Sequence, residues 1–123
     1  MFSGQGSQYY QMGKELYRNH SRFKLWMKYC DEIVRSLIDE SITDIVYKDR
    51  IDKHKPFDKL LYTNPALLCI EYSLARIIIE MDIHPDYVLG YSLGEITASI
   101  ISGIITLEEG IQFVVDVARL LEE

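Results

Sequence analysis

Apolar side chains recur at helical spacing along most of the chain. Tyr9, Met12, Gly13 and Leu16 share one face of a helix predicted over 9–17, which Asn19-His20-Ser21 interrupts. Ser21 then suits the N-cap of a second helix, whose broad stripe is Leu25, Trp26, Tyr29, Cys30, Ile33, Leu37 and Ile38. That stripe reads as core packing, with Trp26 as a core or interface anchor. Ile42, Ile45 and Val46 mark a short helical turn, and the charged, Pro56-containing stretch 48–59 reads as a solvated loop. Asn64-Pro65 predicts a helix start, because proline lacks only an N–H that would be unpaired there anyway. Leu67, Leu68, Ile70, Leu74, Ile77, Ile78 and Met81 make that helix apolar on more than one side, so it should be largely buried. After the turn at His84-Pro85, Tyr87-Val88-Leu89 reads as a short buried strand, followed by a helix over 93–101. Gly103 fits the left-handed position that ends it. Thr106-Leu107-Glu108-Glu109 is a capping box, and Leu107, Ile111, Val114, Val115, Ala118 and Leu121 line one side of the last helix.

Helices outnumber strands at least five to one in this reading, with Phe2 as the tail of a second possible strand. The strand, turn and helix around Gly90-Tyr91-Ser92-Leu93-Gly94 nevertheless form a G-x-S-x-G corner. In such a corner the serine sits on a sharp turn and the next helix opens with unpaired N–H groups aimed at its oxygen, which is the local machinery of acyl transfer. The three letters also fit an ordinary corner with a surface serine. Phe2-Ser3-Gly4-Gln5-Gly6-Ser7-Gln8 adds glycines that let backbone N–H groups approach a ligand, although a flexible segment has the same composition. It lacks the G-K-[ST] of a nucleotide loop.

Composition narrows the classes. A hydrophobic fraction of 48% argues for a folded domain, and 123 residues suffice for one modest core. Thirteen Lys and Arg against nineteen Asp and Glu give a net charge of −6, which disfavours a nonspecific grip on nucleic acid or an anionic membrane. Cys30 and Cys69 sit inside apolar helical patterns, which points away from a disulfide framework and towards a reducing cytoplasmic setting. No apolar run approaches the ~20 residues of a membrane span, and the first residues lack a secretory signal's basic and apolar regions. His54 lies in the charged loop without metal-ligand spacing, so no metal site is expected.

Taken together, G-Q-G-S-Q at 4–8 and G-Y-S-L-G-E at 90–95 resemble the G-Q-G-S-Q and G-H-S-L-G-E motifs of the malonyl-CoA:acyl carrier protein transacylase family. That family includes the acyltransferase domains of polyketide and fatty-acid synthases. Thr63-Asn64-Pro65-Ala66 resembles its T-Q-P-A segment, and Gly103 falls at its glycine after the serine helix. The resemblance implies an α/β fold, in which this chain is the N-terminal part of an α/β-hydrolase-like large subdomain, helix-rich with a strand, elbow and helix at Ser92. Residues 1–123 would then be a partial acyltransferase domain, missing a downstream portion with the small subdomain and the catalytic histidine. His20, His54 and His84 do not match that histidine, so the stretch alone is expected to be inactive.

Carried over by position, the resemblance makes Ser92 the nucleophile and gives the backbone N–H groups of Gln5 and Leu93 the oxyanion hole. Gly4, Gly6, Asn64, Tyr91 and Val117 would line the substrate pocket. Tyr91 stands where the family has a histidine, and Val117 where it has the arginine that holds a malonyl carboxylate. Arg119 is two residues on and faces elsewhere on a helix. Substrates would ride on coenzyme A or phosphopantetheine with no cofactor bound by the protein, and the partners would be an acyl carrier protein and polyketide synthase components. Val117 and the run 7–16 look like the acyl-hydrolase branch of trans-acyltransferase polyketide synthases, which implies hydrolysis of carrier-bound thioesters. The alternatives are transfer to an acyl carrier protein, an inactive segment with a structural or docking role, and a generic α/β-hydrolase.

Overall fold

The computed structural model describes residues 1–2, 13–47, 59–90 and 93–121. Within them the chain forms helices α1 (Lys14–Asn19), α2 (Ser21–Ile38), α3 (Ile42–Tyr47), α4 (Leu60–Glu80), α5 (Gly94–Ile101) and α6 (Leu107–Leu121). The apolar α4 lies at the centre and packs against α2, α3, α5 and α6. Its buried Ala66, Leu67, Leu68, Cys69 and Ile70 meet Phe23, Met27, Cys30 and Val34 of α2 and Ile111, Val114 and Val115 of α6.

The expected α/β architecture, with a strand, elbow and helix at Ser92, is overturned. Among the described residues there is no β-strand, only a single parallel bridge between Phe2 and Gly90, supported by the Phe2 N–H donating to the Leu89 carbonyl at 2.8 Å. Strand-forming side chains favour a pleated, half-buried surface, but a strand exists only as a ladder with a neighbour. Here Tyr87 is 93% and Leu89 63% exposed, the reverse of a buried strand. The fold of the described residues is helical.

Helix boundaries show where local chemistry decided. α4 begins at Leu60, not at Asn64: the Lys59 carbonyl accepts from the N–H groups of Tyr62 and Thr63, both at 2.9 Å, and Pro65 lies inside the helix. The N-cap of α2 is His20, not Ser21, with its imidazole accepting from the Phe23 N–H at 3.2 Å. The buried face of α2 is also rotated from the expected stripe. Phe23, Met27, Cys30 and Val34 point inward, whereas Leu25 and Tyr29 are exposed. Trp26 sits at the margin, where its indole N–H donates to Glu80 and its ring meets Tyr29 and Tyr72 edge-on. Residues 9–12 of the expected first helix and 48–58 of the expected loop lie outside the described residues.

Two buried features join the layers. Asp31 of α2 caps α3, its carboxylate accepting from the Ile42 N–H at 2.6 Å and the Ser41 hydroxyl at 2.8 Å, with Thr43 contributing its N–H at 3.3 Å and hydroxyl at 3.2 Å. Cys30 and Cys69 are buried free thiols of α2 and α4, and hydrogen bonding to Cys30 followed by burial pushes the Cys69 thiol well above its usual range.

The turn between α5 and α6 follows the sequence closely. Gly103 adopts φ +85°, and the Gly103 and Ile104 N–H groups return to the carbonyls of Ile100 and Ser99 at 3.1 and 2.9 Å, which closes a Schellman motif. The Thr106 N–H then donates to Glu109 at 3.0 Å while the Glu109 N–H donates to the Thr106 hydroxyl at 3.1 Å. The backbone and hydroxyl of Thr106 hold the Glu109 carboxyl below its usual range.

Candidate active site

Gly90 and the start of α5 approach each other so closely that only glycine fits. A Cβ on Gly90 would lie 2.0 Å from the Gly94 carbonyl oxygen, 2.2 Å from its carbon and 2.5 Å from the Glu95 nitrogen. Because these are backbone atoms, no side-chain rotation could relieve the overlap. Leu93 is the half-buried N-cap of α5, so its N–H is among those that a helix start leaves without an intrahelical acceptor. Its carbonyl already receives the Ile96 N–H at 3.0 Å.

The second turn of α5 is tied to α4 from below. Thr97 is fully buried, and its hydroxyl donates to the Glu71 carboxylate at 3.1 Å. Glu71 is 9% exposed and lies midway along α4. A carboxylate at that depth is tolerated because hydrogen bonds replace its lost hydration. Neither residue belongs to the set expected from the sequence. The available signal was a carboxylate and a hydroxyl embedded in the apolar runs Leu67 to Leu74 and Ile96 to Ile101.

The other expected residues divide between those described and those not. Asn64 is buried in α4, and its side-chain oxygen has no hydrogen-bond partner among the described residues. Val117 is half-buried on α6. Asn64, Leu93 and Val117 therefore stand on, or at the start of, three mutually packed helices. Ser92, Tyr91, Gln5, Gly4 and Gly6 lie outside the described residues. Arg119 is not near-equivalent to an arginine at 117, because its guanidinium donates to the Leu37 carbonyl at the end of α2. His20 is used as a cap and exposed His84 pairs with Asp82 at 3.0 Å, while His54 lies outside the described residues.

Grooves among the described residues border α4. One of about 490 Å³ is bounded by Phe2, Leu67, Glu71, Ile78, Ile83, Val88 and Ile101 among others. Another, of about 840 Å³, is lined by Trp26, Tyr29, Tyr72, Arg76 and Glu108 among others. None of Asn64, Leu93 and Val117 borders either groove, so neither volume by itself marks the chemistry. Among the described residues no His, Cys, Asp or Glu side chains group in threes as a metal site, and no helix is long and apolar enough to cross a membrane.

The acyl transferase domain family matches the chain over residues 1–123. The polyketide biosynthesis acyltransferase homolog BaeD of Bacillus velezensis is 42% identical over 123 residues, which is 100% of this chain and 38% of that protein. The chain thus spans less than half the length of this relative. Among solved structures, the acyl transferase domain of ZmaA superposes with a TM-score of 0.90 at 31% identity, covering 98% of this chain and 28% of that one. The malonyl CoA-acyl carrier protein transacylase of Clostridium perfringens superposes with a TM-score of 0.79 at 25% identity, over 99% of this chain and 36% of that one.

Proposed function

The chain belongs to the acyl transferase domain family, and on that premise we propose that it is the N-terminal portion of one acyltransferase domain in which Ser92 carries the acyl group. The Ser92 oxygen attacks the carbonyl of a thioester borne on coenzyme A or phosphopantetheine. The carbon–sulfur bond breaks, the thiol leaves with the serine's proton, and a second thiol on an acyl carrier protein takes the acyl group from serine. A general base from the downstream portion moves the proton. The N–H groups of Leu93 and Gln5 stabilise the oxyanion, each worth about 3 kcal/mol in such sites. The observation that carries this reading is the contact between Gly90 and the backbone of Gly94 and Glu95, together with Leu93 as N-cap. It supports a close approach of the chain at residue 90 to the mouth of α5, where the Leu93 N–H stands.

Gly4, Gly6, Asn64, Tyr91 and Val117 complete the pocket in this reading. Transfer to a carrier protein is favoured because the relatives include a named transacylase. Hydrolysis of a carrier-bound acyl group is the second reading, and Val117 is what favours it. Valine cannot form the bidentate pair that selects a free carboxylate, and the guanidinium of Arg119 is held at Leu37.

The test is intact-mass analysis of the full-length protein incubated with acetyl and malonyl thioesters, in parent, Ser92→Ala and Val117→Arg forms. An acyl adduct on the parent that Ser92→Ala abolishes is the expected result. The absence of any adduct would overturn the nucleophile and leave a docking role. Adducts that pass to added carrier protein faster than to water support transfer. The reverse, with malonyl loading gained only in Val117→Arg, supports hydrolysis.

A further inference from the structure

We propose that Glu71 is a positioning residue for acyl transfer, acting through Thr97 to set the depth and rotation of α5 and so the aim of the Leu93 N–H. This inference rests on the reading of Leu93 as an oxyanion donor. Thr97 follows Leu93 by four residues, so the two lie one above the other on the same side of the helix, one turn apart. Thr97 is fully buried and gives its hydroxyl to Glu71 at 3.1 Å. The helix it holds has only eight residues. Such a short helix has little rigidity of its own, so its orientation comes from what it touches. Three residues before Thr97, at Gly94, the same helix meets Gly90 so closely that a Cβ on Gly90 would overlap the Gly94 and Glu95 backbone. The first turns of α5 are therefore held by two contacts, with Gly90 and with the buried Glu71 carboxylate.

A purely apolar contact at Thr97 would fix the rotation of the helix less sharply, because the hydrophobic effect is non-directional. A hydrogen bond to a group fixed on α4 is directional and holds that rotation more tightly. Rotation matters at the site, because an oxyanion donor works only where the developing charge will sit. A displacement of about 1 Å can lower the rate by about 100-fold.

The experiment measures single-turnover acylation of Ser92 in the full-length protein for Glu71→Gln, Glu71→Leu, Thr97→Ser and Thr97→Val, alongside the melting temperature of each. Glutamine and serine retain an acceptor and a donor, so Glu71→Gln and Thr97→Ser should stay within about threefold of the parent. Glu71→Leu and Thr97→Val should lower the maximal acylation rate by about 30- to 100-fold with substrate half-saturation within about twofold. The double variant Glu71→Leu/Thr97→Val should fall no further than either single one. If leucine at 71 lowers only the melting temperature and the folded fraction acylates at the parental rate, the residue is structural and the proposal fails. Equal losses for glutamine and leucine, or a loss confined to half-saturation, would overturn it too. If the parent never acylates Ser92, the underlying assignment fails instead, which separates the two ideas.

Discussion

Replacing Gly90 with alanine tests its close approach to the start of α5. The new methyl would lie 2.0 Å from the Gly94 oxygen, whereas nonbonded heavy atoms settle near 3.5 Å, so one segment must retreat by roughly 1.5 Å. Neither partner is a side chain that can swing away. The cost should therefore reach the upper end of overpacking penalties, about 3 kcal/mol. A retreat of that size would also displace the Leu93 N–H and slow acylation by about 100-fold or more. Gly103→Ala is the control: its φ of +85° strains any side chain, but a Cβ there meets nothing within 4 Å. It should cost about 1 kcal/mol through conformation alone and leave acylation of the folded protein unchanged. Urea unfolding of the full-length variants gives the first quantity, and the acylation rate, measured without denaturant at a temperature where every variant is folded, gives the second. Gly90→Ala within about 0.5 kcal/mol and twofold of the parent would refute the reasoning, since it would mean that the crossing is slack.

Asp31→Ala should lower stability by about 2–4 kcal/mol, because it leaves the Ile42 and Thr43 N–H groups without their buried acceptor; Asp31→Asn, which keeps one acceptor oxygen, should cost less in the same urea titration. Glu80 gives a pH signature. Arg22 first and Trp26 second lower its pKa from 4.5 to about 2. A depressed folded-state pKa contributes stability that is present above the unfolded value and is lost as pH falls through the folded one. Trp26 fluorescence should therefore hold steady above pH 4.5 and change towards pH 2, and Glu80→Gln should remove that transition.

Elements with complete local signals were legible in the sequence. The Thr106 to Glu109 capping box and the left-handed Gly103 are each written within a few residues, and both formed as read. Features set by distant partners were not. Large apolar and aromatic side chains dominate a periodicity count and draw the stripe on α2 towards Leu25 and Tyr29, yet the layer facing α4 includes Phe23, Met27, Cys30 and Val34. Tyr29 reaches outward to the Glu108 carboxylate at 3.0 Å, which its phenol permits and the pattern alone does not reveal. Asn64-Pro65 carried a start signal, but the Lys59 carbonyl supplied the true first turn, and the burial of Pro65 within α4 offsets the hydrogen bond its ring removes. Three strand-forming residues at 87–89 could not specify a ladder, since that depends on a neighbour. At the candidate site, the G-x-S-x-G spacing spans Gly90 and Leu93, which lie beside and at the start of α5. The bond between Thr97 and Glu71 escaped because 26 residues separate them.

The facing thiols of Cys30 and Cys69 have a practical consequence. Both are almost wholly hidden from solvent, at 0% and 1% exposure, so an alkylating reagent can reach them only when α2 and α4 part. Their labelling rate is accordingly a built-in clock for transient breathing of the central interface, readable without introducing a probe.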